Sequence, residues 1–185
     1  MEIEQYLWGA SAEGEGILLY TLRYRNLSLS FLIDVRYGGV MYSGTVSDLR
    51  VNGMAEETIG KNRTDIVDKG VKQDGTENTT AITPYQFWSN NYSSKVSEAN
   101  VFDATFVKLR EMVLSYQMPQ RWFKNCFIGS LALGVEGRNL WLMKSNVPHI
   151  DPETNIFGPS AVGSGVEYSA IPTTRSWGFN IKLTF

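Results

Sequence analysis

The single histidine, His149, lies in NVPHIDPE with Asp151 and Glu153 just behind it, and acid–base or metal chemistry would be sought there first. Asp151 and Glu153 could work as an acid and base pair, or hold calcium between carboxylate oxygens; two loop carboxylates at this spacing are common without a function, and no site is assigned to them. Zinc needs several nitrogen or sulfur ligands, and a Ser-His-Asp hydrolase needs an imidazole oriented by a carboxylate. One histidine and one cysteine, Cys126, supply neither donor set and no intrachain disulfide. His149 is therefore read as a loop residue, and no catalytic residue, metal ligand or cofactor is assigned.

Other candidates point to binding rather than bond making. Gly14 and Gly16, and Gly163 and Gly165, lack the strand and helix that flank a phosphate-binding glycine loop, so they are read as turns. Arg138 and Asn139 in GRNLW could reach a substrate; alternatively Arg138 pairs with a carboxylate such as Glu136 or Asp34. In PYQFW, the faces of Tyr85, Phe87 and Trp88 could stack on a sugar or a peptide, or anchor their own segment. The substrate-contact candidates are thus Trp88, Arg138 and Asn139. With 17 basic and 19 acidic residues and no block of one sign, the chain lacks the footprint of a nucleic-acid partner.

The elements that would position these residues are strands. Leu18, Tyr20, Leu22 and Tyr24 alternate with Thr21 and Arg23; after a tight turn at Arg25 and Asn26, Leu27, Leu29, Phe31, Ile33, Val35 and Tyr37 alternate with Ser28, Ser30, Asp34 and Arg36. Because strand side chains point to alternate faces, this is a hairpin with one apolar side, and only Leu32 breaks the pattern. Farther on, Met112, Leu114 and Tyr116 share a face. Val107 and Leu109 are out of phase with them, which predicts a bulge near Arg110. Pro119 is expected to open one helical turn. Leu131, Leu133 and Val135 mark a fourth strand from Ser130 to Trp141. Trp177, Phe179, Ile181, Leu183 and Phe185 mark a fifth.

Between these five strands the connections run short, long, short, long. The first long one, about 65 residues of Gly, Asn, Ser, Thr and Asp with little periodicity, is the kind of stretch that signals function or disorder. No run approaches the roughly 18 apolar residues of a membrane helix. Alternating strands with short turns at one end and long loops at the other are the pattern of a transmembrane β-barrel, whose apolar band faces lipid. Aromatic residues fall where the interfaces would lie: Tyr24, Tyr116, Trp122, Phe123 and Phe185 at one rim, Tyr37, Trp141 and Trp177 at the other. A self-contained soluble β-sandwich or small barrel that binds a ligand is the other reading, since an apolar stripe can also face a core.

Four stretches in order, YRNLSLSFLIDVRYGG, NYSSKVSEANVFDATFVKLREMVLSYQMPQRWFK, GRNLWLMKSNVPHIDPE and IPTTRSWGFNIKLTF, resemble the C-terminal part of SusC/RagA-family TonB-dependent outer-membrane transporters. The resemblance implies an all-β fold, an antiparallel up-and-down barrel segment of about five strands out of about 22, with long extracellular loops. It implies that residues 1–185 are the C-terminal portion of the barrel domain, with the signal peptide and plug upstream, or else a non-functional gene fragment. It further implies no enzymatic activity, but import of oligosaccharides or peptides across the outer membrane of a Bacteroidota-like cell. The implied partners are a SusD-like surface lipoprotein, the TonB-ExbB-ExbD complex and the barrel-assembly machinery. The strand from Trp177 to Phe185 would face the membrane and serve as the assembly signal.

Overall fold

The computed structural model describes residues 2–8, 14–59, 64–93, 96–124, 127–156 and 165–185. Cys126 and Gly163 lie outside them. In chain order the elements are β1 (Glu2–Trp8), β2 (Glu15–Tyr24), β3 (Leu27–Arg36), β4 (Val40–Ser43), α1 (Gly44–Val51), β5 (Ile66–Val67), β6 (Ala81–Ile82), α2 (Pro84–Gln86), β7 (Val101–Asp103), β8 (Phe106–Gln117), β9 (Ser130–Ser145), β10 (Val166–Glu167) and β11 (Ser176–Thr184). They form two compact units. One comprises Met1–Gly39, Ala104–Asn146 and Thr173–Phe185; the other comprises Val40–Asp103 and Val147–Pro172.

The first unit is one antiparallel sheet of six strands in the order β1-β2-β3-β8-β9-β11. Five of them are the strands expected from alternation. The sixth, β1, is new: its segment EIEQYLW alternates, but Gln5 interrupts the apolar series, so the pattern is too short to stand out. It pairs with β2 along its whole length, from Glu2 opposite Arg23 to Trp8 opposite Ile17. The β2–β3 hairpin turns at Arg25 and Asn26, with Arg25 in the left-handed region at φ 53. The Asn26 side chain locks that turn to β8 by donating to the Gln117 carbonyl at 2.6 Å.

The bulge expected near Arg110 is present. On β3, Leu32 faces Glu111 while the next residue, Ile33, faces Leu109, so the register skips Arg110. A bulge inserts one residue and restores the phase. That brings Val107 and Leu109 back onto the face of Met112, Leu114 and Tyr116. Leu32 leaves the apolar face because it lies opposite Leu19 on the other side of the sheet. The helical turn after β8 covers Gln120–Trp122, with Pro119 one residue ahead of it as the cap.

The second unit takes up the long interval, whose low periodicity signals function or disorder, and gives it local structure. It holds the short sheets β10-β4-β7 and β5-β6, together with both helices. Most of its strands are two or three residues long, below the span over which periodicity can be recognised. Side-chain hydrogen bonds organise it instead. The Ser43 hydroxyl caps α1 by accepting from the Val46 N–H at 3.1 Å and donates to the buried Glu167 carboxylate at 2.6 Å. Thr45 donates to the other Glu167 oxygen at 2.6 Å. Among its described residues, Met41, Val46, Ala55, Val147 and Pro152 are buried.

Candidate functional site

The sheet carries two chemically opposite faces, and residue pairing across the strands shows how complete the separation is. On one face Leu22, Leu29, Leu114, Val135 and Phe179 lie in register across five strands. Tyr20, Phe31, Met112, Gly137 and Trp177 form the next row, with the rings of Tyr20 and Phe31 stacked at 5.3 Å. Tyr24, Leu27, Tyr116, Leu133 and Ile181 form another. No charge enters these rows. Yet none of the apolar side chains in these rows is buried, and those of β11 are open: Trp177 is 63% exposed, Ile181 67% and Phe179 84%.

The opposite face holds the charges. Arg110 fills its bulge by reaching sideways, donating to Asp34 on β3 from Nε at 3.1 Å and from Nη2, and to Asn139 on β9 from Nη1 at 3.5 Å. Asn139 in turn donates to the Thr174 carbonyl at 3.0 Å from a left-handed backbone, φ 52. One guanidinium thus ties three strands together. Lys108 is buried and donates to the Thr173 hydroxyl at 2.8 Å. Thr21 and Ser30 share a hydrogen bond at 3.0 Å between β2 and β3.

The sequence candidates fall into this frame unevenly. Arg138 lies 3.5 Å from Glu111 and 3.8 Å from Glu136, while Asp34, its other expected partner, is taken by Arg110. Arg138 nevertheless remains open to solvent on the polar face, 59% exposed. Trp88 belongs to the second unit, where the Arg50 guanidinium covers its ring at 4.5 Å and the Phe87 ring meets it edge-on. His149 is a loop residue with φ 66 whose Nε2 accepts the Glu56 N–H at 3.3 Å. Asp151 accepts the Glu153 N–H at 3.2 Å, and so closes its own turn. Sequence reasoning missed Arg110 and Lys108 as organising groups. The signal available for Arg110 was the bulge itself, because a position skipped in the strand register can turn its side chain toward both neighbouring strands.

No family model matches the chain. Over 168 residues it is 23% identical to the TonB-dependent receptor P3 of Formosa agariphila, covering 89% of this chain and 15% of that protein. Among solved structures it superimposes on the RagAB peptide importer in the open-open and the closed-closed states, each with a TM-score of 0.56 and 17% identity over 93% of this chain. It covers 17% of the importer chain in each case. The resemblance to TonB-dependent receptors read from the sequence therefore holds in both sequence and fold, and the six-stranded sheet is a segment of antiparallel barrel wall. The chain spans less than a fifth of the length of these relatives. Among the described residues no helix is long and apolar enough to cross a membrane, which says nothing of a crossing by strands.

Proposed function

We propose that the chain is part of the barrel domain of an outer-membrane TonB-dependent importer, its C-terminal portion, and acts by walling a transport pathway rather than by covalent chemistry. The observation that carries this reading is the uncharged, exposed rows backed by a face that holds Asp34, Arg110, Glu111, Glu136 and Arg138. A soluble sheet buries its apolar face under a second layer, whereas a barrel wall turns it to lipid and keeps polar groups inside. The dimensions agree. About ten residues separate the Tyr24–Leu27 turn from Tyr37, and at ~3.3 Å each with a ~40° tilt this spans about 25 Å, the height of the apolar band.

In this reading the tight turn at Arg25 and Asn26 and the connection from Met118 to Gly129 face the periplasm, and the long connections face outward. Within the described sheet, β1 and β11 each pair on one side only. Unpaired backbone groups cost several kcal/mol each in hydrocarbon, so neighbouring strands must close both edges. The transported compound is an oligosaccharide or a peptide, and Arg138 is one of the exposed charged groups that could meet it on the lumen side. A SusD-like surface lipoprotein, the TonB-ExbB-ExbD complex and the barrel-assembly machinery complete the system, the last recognising Trp177 to Phe185.

The test combines location with orientation. Cells that make the protein naturally are fractionated, and spin labels are placed singly at positions 179 to 184. The expected result is recovery in the outer membrane, with odd positions accessible to oxygen in lipid and even positions to a water-soluble nickel reagent. Recovery as a soluble monomer, or labels without alternation, would replace this reading by a soluble β-protein.

A further inference from the structure

The apolar face of the six-stranded sheet carries an open groove of about 510 Å³ at the end where the short turns lie. Its walls run from Leu27 on β3 through Tyr116 on β8 and Leu133 and Val135 on β9 to Phe179 and Ile181 on β11. Gly134 and Asn180 also line it, but they pair with each other across β9 and β11, and a Cβ on Gly134 would stand 2.3 Å from the Asn180 side-chain oxygen. That amide therefore belongs to the polar face, and the two residues give the groove only their backbone. No charged residue lines it. A hydrocarbon chain suits such a lining, whereas the hydroxyls of a sugar or the amides of a peptide would lose their hydrogen bonds there.

The charges at this end say what such a chain would carry. The turn from Arg23 to Asn26 and the connection from Gln117 to Gly129 contain Arg23, Arg25, Arg121 and Lys124 and no acidic residue, whereas acidic residues outnumber basic ones in both long connections, 37–105 and 146–175. Arg23 lies opposite Glu2 on β1. Arg25, Arg121 and Lys124 are exposed, and among the described residues none of the three makes an ion pair. The Arg25 guanidinium lies over the Tyr24 ring at 5.3 Å, and Tyr24 pairs with Leu27, the wall of the groove. The Asn26 carbonyl accepts the Gln117 N–H at 2.8 Å, which sets this turn beside the start of the connection that holds Arg121 and Lys124. Trp122 in that connection is exposed as well. An uncharged groove thus opens beside unspent cations, and guanidinium donors pair well with phosphate oxygens.

We propose that this corner of the sheet seats one anionic phospholipid, an acyl chain lying in the groove from Leu27 to Ile181 and the headgroup phosphate held by Arg25 with Arg121 and Lys124 around it. The proposal rests on the reading of the sheet as barrel wall, which puts the apolar face in a bilayer. It adds to that reading which lipid the wall selects and where: a negatively charged one, in the leaflet that meets the short turns.

The test uses the protein purified from the cells that make it and reconstituted in mixed bilayers of phosphatidylcholine and phosphatidylglycerol, with bromine on the acyl chains of one lipid or the other. Bromine quenches tryptophan on contact, and the share of emission lost in Trp122→Phe isolates the reporter at the basic rim. Brominated phosphatidylglycerol is expected to quench Trp122 at a roughly fivefold lower mole fraction than brominated phosphatidylcholine, about the gain from one basic residue at an anionic surface. Arg25→Ala, and Arg121→Ala with Lys124→Ala, should each reduce that preference at least twofold, and Arg25→Lys should keep most of it. Val135→Phe, which fills the groove without changing charge, should lower it too, while Lys72→Ala in the second unit leaves it unchanged; matching circular dichroism verifies folding. Equal quenching by the two lipids overturns the seat and leaves the wall reading intact, whereas no quenching by either removes the wall reading and the seat with it. A preference that survives both sets of alanine changes, survives Val135→Phe, or disappears in excess inorganic phosphate also overturns the proposal, the last two because they describe an anion site without a lipid chain.

Discussion

The indole of Trp177 on β11 lies across Gly137 on β9, its cross-strand partner, so closely that a Cβ on Gly137 would stand 2.9 Å from the ring and 2.6 Å from Leu140. A bare glycine leaves a gap in the apolar face, and the ring of its neighbour fills it, a known way of rescuing glycine in a sheet. Gly137→Ala is expected to push both side chains off their rotamers at a cost of about 1–3 kcal/mol, the usual range for overpacking. A shift of the unfolding midpoint in detergent at unchanged slope would measure it. Trp177→Phe in the Gly137→Ala background should recover part of the loss, because the smaller ring frees space.

The Arg110–Asp34 pair is expected to matter more than its position in a hydrated face suggests. Both side chains are mostly covered, 29% and 19% exposed, and Arg110 is skipped in the strand register. Asp34→Ala removes the carboxylate that balances the Arg110 charge, and a loss of about 1–3 kcal/mol is expected, below the ~3–5 kcal/mol typical of fully buried pairs. Arg110→Ala alone should cost less than Asp34→Ala, since it leaves a carboxylate that water can reach. A double-mutant cycle over these two positions measures the coupling; Arg138 with Glu136, far more exposed, should show under about 1 kcal/mol.

Two groups in the second unit set opposite pH limits. Tyr168 donates to Asp48 at 2.9 Å, and that hydrogen bond, followed by the charge of Asp48, raises the phenol above its ordinary value of 10.0. The raised value means that the folded form holds its proton more tightly, so the contact is intact below pH 10 and is lost as pH climbs through the raised value. Asp74 is lowered from 3.8, first by the Thr76 hydroxyl and then by the Thr76 N–H. Its turn persists above that pH and opens as pH falls through the lowered value. Phenolate absorbance at alkaline pH, compared with Tyr168→Phe, and the Thr76 amide shift in acid would trace the two titrations.

How much of this was legible in the sequence follows from the length scale of each element. β3 and β11 are nine or ten residues long and alternate with the single exception of Leu32, and their faces follow from period two alone. Even the bulge was visible, because Val107 and Leu109 lose phase with Met112. The second unit was not, since Glu167, Ser43 and Thr45 meet through side-chain hydrogen bonds across more than 120 positions of sequence. No local pattern announces such a contact. The disposition of Trp88 was hidden for the same reason: its partner Arg50 lies on α1, and only the fold brings them together. Arg138 was placed correctly beside Glu136, two residues away on the same strand face, because that relationship is local.

The sharpest prediction concerns adjacent residues on β11. Ile181 is opposite Leu133 in an apolar row, and Lys182 is opposite Ala132 on the other face. If the apolar face meets hydrocarbon, Ile181→Arg places a charge in lipid, at about 2–4 kcal/mol near the bilayer midplane. Lys182→Ala, on the hydrated side, should stay within about 0.5 kcal/mol, as surface changes do. The mature protein in the outer membrane should therefore fall several-fold for Ile181→Arg and stay level for Lys182→Ala. A soluble sheet with this face in water would show neither loss, since its Ile181 is already 67% exposed. Phe179→Arg, one pleat away on the same face, should repeat the loss, whereas Asn180→Arg between them should be tolerated. A decline that follows the alternation of side chains, rather than position along the strand, distinguishes lipid exposure from general damage to the terminal strand.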